Sequence, residues 1–156
     1  MSLLVSILFT LLGLCAATEY YVTPQENSCS RALCYTLDEL ATKYFYTNAT
    51  DILMDNVTVI LLSGTHELYG SLSVKEVSNL TLLGVSGEHP VEIKCRNPML
   101  LEFIGVLNLT IMRIMFSQCG DFELLPQREM VTRGVLIFMD VFNLKMTWVV
   151  IRNSTK

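Results

Sequence analysis

The sequence predicts a mostly β solenoid: a stack of short strands in which each repeat buries its apolar face on the next. Three observations predict it. From Asp51 onward, apolar and polar residues alternate in short runs: Leu72 and Val74 between Ser71, Ser73 and Lys75; Val91, Ile93 and Cys95 between Glu92, Lys94 and Arg96; Leu101 and Phe103 around Glu102. Turn residues punctuate these runs, at Ser63-Gly64, Gly70, Gly84, Gly87, Pro90, Asn97-Pro98, Gly105, Gly120 and Gly134. An Asn-apolar-polar-apolar phrase recurs four times, as NVTVIL, NLTLLG, NLTIMR and NLKMTW, led by Asn56, Asn79, Asn108 and Asn143. The leading asparagines are 23, 29 and 35 residues apart, within the range of solenoid repeats.

Each element follows in chain order. Residues 1–18 form a secretory signal peptide: an apolar run from Leu3 to Leu14, then Ala16 and Ala17, with cleavage near Ala17 or Thr18. The run is about a dozen residues, short of the ~20 that span a bilayer. All 11 basic and 15 acidic residues follow it, so the mature chain keeps the net charge of −4. A mildly acidic chain without a basic cluster is unsuited to nucleic acid or to an anionic membrane surface. Residues 19–50 form an N-terminal unit. Tyr20 to Val22 is a short strand ended by Pro24, and Cys29 and Cys34 bracket a loop. Thr36 and Glu39 then make a capping box for a helix over 37–46, with Leu37, Leu40, Ala41 and Tyr44 on one face.

Residues 51–156 hold the coils. An apolar residue follows each asparagine and another comes two later: Val57/Val59, Leu80/Leu82, Leu109/Ile111 and Leu144/Met146. Val77, Val106 and Val141 lie two before the last three asparagines and are read as strand ends. Each unit is therefore strand, Asn corner, strand, turn, strand. The segment 119–134 is the longest outer loop. An antiparallel β-sandwich is the rival fold, and the regular recurrence of the Asn frame argues against it.

Once Cys15 leaves with the signal, four cysteines remain: Cys29, Cys34, Cys95 and Cys119. An even count in an exported chain points to two disulfides, with three connectivities open. Zinc is disfavoured, because no C-x-x-C pair occurs and neither histidine neighbours a cysteine. Five N-glycosylation sequons follow the signal, at Asn48, Asn56, Asn79, Asn108 and Asn153.

The stretch GTHELYGSLSVKEVSNLTLLG, followed by VEIKC and NLTIMRIMFSQCG, resembles the secreted right-handed parallel β-helix repeat proteins of the pectin-lyase-like superfamily. The segment CSRALCYTLDELA resembles the Cys-loop and helix that precede the coils in many extracellular members. The resemblance implies a right-handed parallel β-helix with three strands per coil and a short N-terminal capping helix over the first, open coil. It implies pairing of Cys29 with Cys34, and of Cys95 with Cys119, whose separation of 24 is close to one coil. The tight corner between strands favours Asn, which tolerates the left-handed conformation. Stacking would then align Asn56, Asn79, Asn108 and Asn143 in a ladder of hydrogen-bonded amides. With such roles competing, Asn48 and Asn153 are expected to carry glycans more often than Asn79 and Asn108. The coil run ends at RNSTK without a polar cap, so the fold is expected to be truncated at its C-terminus and to self-associate there.

Chemistry is thinly marked. The family's enzymes cluster Asp residues on one face, whereas Asp51, Asp55, Asp121 and Asp140 are scattered and read as solvated edge charges. Glu76, Glu102 and Asp140 precede Asn corners and could meet on adjacent coils as acid and base, though their offsets from the asparagines differ. His66 and His89 fall in turns and read as solvated or locally bonded groups. Trp148 is in phase with Leu144 and Met146 and reads as core; if exposed, it could stack on a sugar. No catalytic, cofactor or metal site is assigned. The functional expectation is a secreted, glycosylated module that binds extracellular glycans or proteins or serves structure, with no membrane insertion after signal removal. The alternative is a polysaccharide lyase or glycoside hydrolase of the same superfamily.

Overall fold

A computed structural model describes residues 17–24, 33–46, 49, 51, 53, 55–85, 91–96, 101–119, 121–123, 131–133 and 136–152. The chain begins with β1 (Thr18–Thr23), β2 (Cys34–Thr36) and α1 (Leu37–Tyr44). The first coil is β3 (Val57–Leu61), β4 (Thr65–Leu68) and β5 (Leu72–Lys75). The second is β6 (Ser78–Gly84), β7 (Val91–Cys95) and β8 (Leu101–Ile104). The third is β9 (Leu107–Met112), β10 (Ile114–Ser117) and β13 (Leu136–Met139), with β11 (Asp121–Glu123) and β12 (Val131–Arg133) inserted as an antiparallel hairpin. β14 (Lys145–Thr147) and β15 (Val150–Arg152) open a fourth.

Corresponding strands of successive coils pair in parallel. Sheet 1 runs β14-β9-β6-β3-β1-β2, sheet 2 runs β15-β10-β7-β4, and sheet 3 runs β13-β8-β5. The chain visits the three sheets in rotation, and this makes the fold a parallel β-solenoid.

Period-two alternation sends one set of side chains inward, where the coils stack them in columns. In sheet 1, Val57, Leu80 and Leu109 align, as do Val59, Leu82 and Ile111; all are buried. In sheet 3, Val74, Phe103 and Phe138 align, and the two rings stack with centroids 5.5 Å apart. In sheet 2 the column is His66, Ile93 and Phe116, with Ile151 at its open end. His66 is thus not a turn residue. It lies in β4 and is 1% exposed, because the alternation of Thr65–Leu68 turns it to the interior with Leu68.

The corner from sheet 3 to sheet 1 is built the same way in three coils. Two left-handed residues flank it: Glu76 and Asn79, Gly105 and Asn108, Asp140 and Asn143. Between them Val77 and Val106 are buried and Val141 packs on the core. These valines lie inside the corner rather than at strand ends, because the first left-handed residue has already turned the chain. Asn56 has the same geometry, with φ of 59°. At the corner from sheet 1 to sheet 2, Gly84 stands where a Cβ would collide with the Arg113 carbonyl oxygen.

α1 starts at the capping box. Glu39 N donates to Thr36 Oγ1 at 3.3 Å and Thr36 N donates to Glu39 Oε2 at 2.7 Å. Leu37, Leu40 and Ala41 are buried. After the helix, the Phe45 carbonyl accepts from Ser73 N at 2.7 Å, and Tyr46 bridges Leu72. The segment therefore covers the outer edge of β5 while β1 covers that of β3, so these two of the first coil's three strands have edge partners.

Cys95 and Cys119 are bonded across neighbouring coils, with Cα atoms 5.0 Å apart. That matches the spacing of adjacent strands, about 4.8 Å. Cys34 is also disulfide-bonded. Its expected partner Cys29 lies outside the described residues, as do His89 and the sequons at Asn48 and Asn153.

Candidate functional site

The outer faces of the sheets carry the polar half of each strand. In sheet 1, the outward row is Thr58, Thr81, Thr110 and Lys145. Sheet 2 differs, because its outward rows cross-link. One row is Thr65, Glu92, Met115 and Val150; the next is Glu67, Lys94, Ser117 and Arg152. Glu92 accepts from Ser117 Oγ at 2.6 Å and from Thr65 Oγ1 at 2.7 Å. The Ser117 hydroxyl first, then that of Thr65, with Lys94 and Arg152 nearby, hold the Glu92 carboxyl below its ordinary range. Glu67 pairs with Arg96 and accepts from Tyr69 Oη.

This network leads into a cleft of about 280 Å³ where α1 meets the first coil. Thr23, Thr36, Asp38, Glu39, Glu67 and Tyr69 line it, with Pro24 and Leu37. Every carboxylate in it has a local donor. Asp38 accepts from Tyr46 Oη, Glu39 closes the capping box, and Glu67 is held by Arg96 and Tyr69. Tyr69 is 53% exposed at the rim. Such a cleft can accept hydrogen bonds from hydroxyl groups and stack a flat apolar face.

The residues singled out from sequence are placed elsewhere. Asp51 is exposed and pairs with Lys43 at 3.7 Å, and Asp55 Oδ1 accepts from Ser78 N at 2.7 Å. Glu76 and Asp140 share a corner column, but Gly105 stands between them, two strand spacings apart, or about 9.6 Å. Glu102 is not in that column; it faces outward from β8, beside Ser73 and Ile137. Asp121 lies in β11. Trp148 is not core. It is 79% exposed, in a left-handed turn after β14 that matches the turn at Arg113. Its phase with Leu144 is broken because a left-handed residue redirects the chain out of the strand. Among the described residues, no group of three or more His, Cys, Asp or Glu could hold a metal ion. Among them, too, no helix is long and apolar enough to cross a membrane.

The four corner asparagines form a second polar feature. Asn79 Nδ2 donates to Asn56 Oδ1 at 2.7 Å, Asn108 Nδ2 to Asn79 Oδ1 at 2.7 Å, and Asn143 Nδ2 to Asn108 Oδ1 at 2.8 Å. The ladder runs along the outside of the corner. Asn79 and Asn143 are exposed, and Asn56 and Asn108 half-buried.

Fold and surface together define a parallel β-solenoid, capped at one end by a helix and carrying a polar, hydroxyl-accepting cleft beside the cap. Comparison with protein families, with curated proteins and with solved structures returns no match.

Proposed function

We infer that this chain is a secreted, glycosylated β-helix module of the pectin-lyase-like kind that binds extracellular glycans through the cleft at the cap. The observation that carries this is the cleft's make-up: three carboxylates, three hydroxyls and one exposed tyrosine ring on rigid elements. Sugars present rings of hydroxyl donors and apolar C–H faces, and both find a counterpart there. The Cys95–Cys119 disulfide supports an oxidising, extracellular setting, as does the apolar N-terminal segment. The local donors hold each carboxylate in a fixed position, which supports binding.

The test is a glycan-array screen of the secreted protein, with an activity assay on polyuronates in parallel. The expected result is a specific glycan hit that Tyr69→Ala and Glu67→Gln both weaken, with no polyuronate cleavage. Cleavage would instead establish the lyase or hydrolase alternative, and a hit indifferent to both substitutions would remove the cleft from the account.

A further inference from the structure

The ladder asparagines are chemically unequal, and the difference bears on where a glycan can sit. Asn56, Asn79 and Asn108 each begin a sequon, and each places its Thr on the outward row of sheet 1, in register at Thr58, Thr81 and Thr110. The hydrogen bonds all run one way. Asn79, Asn108 and Asn143 each spend an Nδ2 proton on the rung before, and Asn56 only accepts. Among the described residues, Asn56 Nδ2 donates to no acceptor.

Its outer neighbour differs too. Thr18 pairs with Val57, and Thr18 N donates to the Asn56 carbonyl at 2.9 Å. The residue stacked beyond Asn56 is therefore Ala17, which is exposed and adds only a methyl group. Asn79 lies between the amides of Asn56 and Asn108, and Asn108 between those of Asn79 and Asn143. Although Asn79 is exposed on its outer side, rungs about 4.8 Å apart leave each of these an amide on both flanks along the stack, whereas Asn56 has one on a single flank. A sugar ring with its substituents is wider than that spacing.

We propose that Asn56 is the ladder position that carries an N-linked glycan, and that the ladder keeps Asn79 and Asn108 largely bare in the folded protein. The transfer joins Asn56 Nδ2 to the anomeric carbon of an oligosaccharide carried on a polyprenyl diphosphate. The bond from that carbon to the phosphate oxygen breaks, the diphosphate leaves with the electron pair, and Nδ2 gives up one proton. The Oδ1 of Asn56 is untouched and goes on accepting from Asn79, so the modification leaves the ladder whole. The same attachment at Asn79 would wedge a sugar between two rungs. The proposal rests on the secretion reading, so its test must not depend on the chain's own leader.

The chain from Thr18 onward is expressed in a glycosylating eukaryotic host behind an unrelated, functional secretory leader. Occupancy is then read site by site by glycopeptide mass spectrometry on the folded, secreted material. Asn56 is expected to be occupied in most molecules, and Asn79 and Asn108 in few. Thr58→Val, which removes the sequon but keeps the rung, should lose one glycan mass at Asn56 and leave the thermal midpoint unchanged. Occupancy at Asn79 equal to or above that at Asn56, or glycans on Asn56 and Asn79 of the same folded molecule, overturns the proposal. The chain with its own leader, run alongside, separates the two readings: glycan only behind the unrelated leader would refute secretion and leave the Asn56 assignment standing.

Discussion

At Asn79 two requirements meet in one side chain. Its φ is 58°, a conformation that costs most L-residues about 1–2 kcal/mol, and its amide both donates and accepts in the ladder. Two substitutions separate these roles. Asn79→Gly keeps the backbone freedom and loses the amide; Asn79→Ala loses both. Urea denaturation should show the glycine variant less stable by about 1 kcal/mol, the net worth of a partly exposed hydrogen bond or two, and the alanine variant about 1–2 kcal/mol lower still. Equal stability of both variants with the parent would show that the ladder contributes nothing. His66 offers a test by pH. It is buried, with Nε2 2.7 Å from the Leu62 carbonyl. Burial lowers its pKa below the ordinary 6.5. The unfolded chain therefore binds the proton more readily. Stability is full above about pH 6.5, falls as pH drops through the lowered folded value, and levels off beneath it. His66→Leu should remove that part of the acid sensitivity, which midpoints measured at pH 7.5 and at successively lower pH would reveal. Glu92 acts in a separate, lower window: its depressed pKa gives stability above the ordinary carboxylate range that is lost as pH falls through the folded value.

Among the elements, α1 shows what a sequence can disclose and what it conceals. Its start was legible because a capping box is local: Thr36 and Glu39 are three apart, and the bonds between them need no knowledge of the rest of the fold. Its burial was legible in the spacing of Leu37, Leu40 and Ala41. Thr36→Ala should cost about 1 kcal/mol in thermal or urea unfolding, and a neutral result would mean that tertiary contacts alone hold the helix. The cleft beside it was not legible. Glu67 meets Arg96 across 29 residues and Glu92 meets Thr65 across 27, and the unequal loops between Asn corners hide those registers. The corner valines and Trp148 were misplaced for a related reason. A period of two extrapolates along a strand, but a left-handed residue at Glu76, Gly105, Asp140 or Trp148 resets the phase, and only Gly105 advertises itself by type.

For the whole molecule, the two ends of the stack are unlike. The first coil lies under α1 and β1. In the last, the inward-phase residues Leu144, Met146 and Ile151 are exposed, although Leu109, Ile111 and Phe116 in the same columns are buried. Among the described residues, no further strand pairs with the outer edges of β13, β14 and β15. The solenoid itself was legible because repetition outlasts loop variation: four Asn frames survive spacings of 23, 29 and 35 residues.

All of these statements depend on one geometric claim, that residues one coil apart stand side by side. The disulfide between β7 and the end of β10 tests it most directly, since Cys95 and Cys119 are 24 residues apart in sequence and 5.0 Å apart in the stack. Closing a loop of that size should stabilise the fold by roughly 3 kcal/mol. Peptide mapping of the unreduced protein should recover a Cys95–Cys119 peptide pair. A Cys34–Cys95 pair in its place would contradict the parallel stacking on which the ladder, the cleft and the glycan assignment rest.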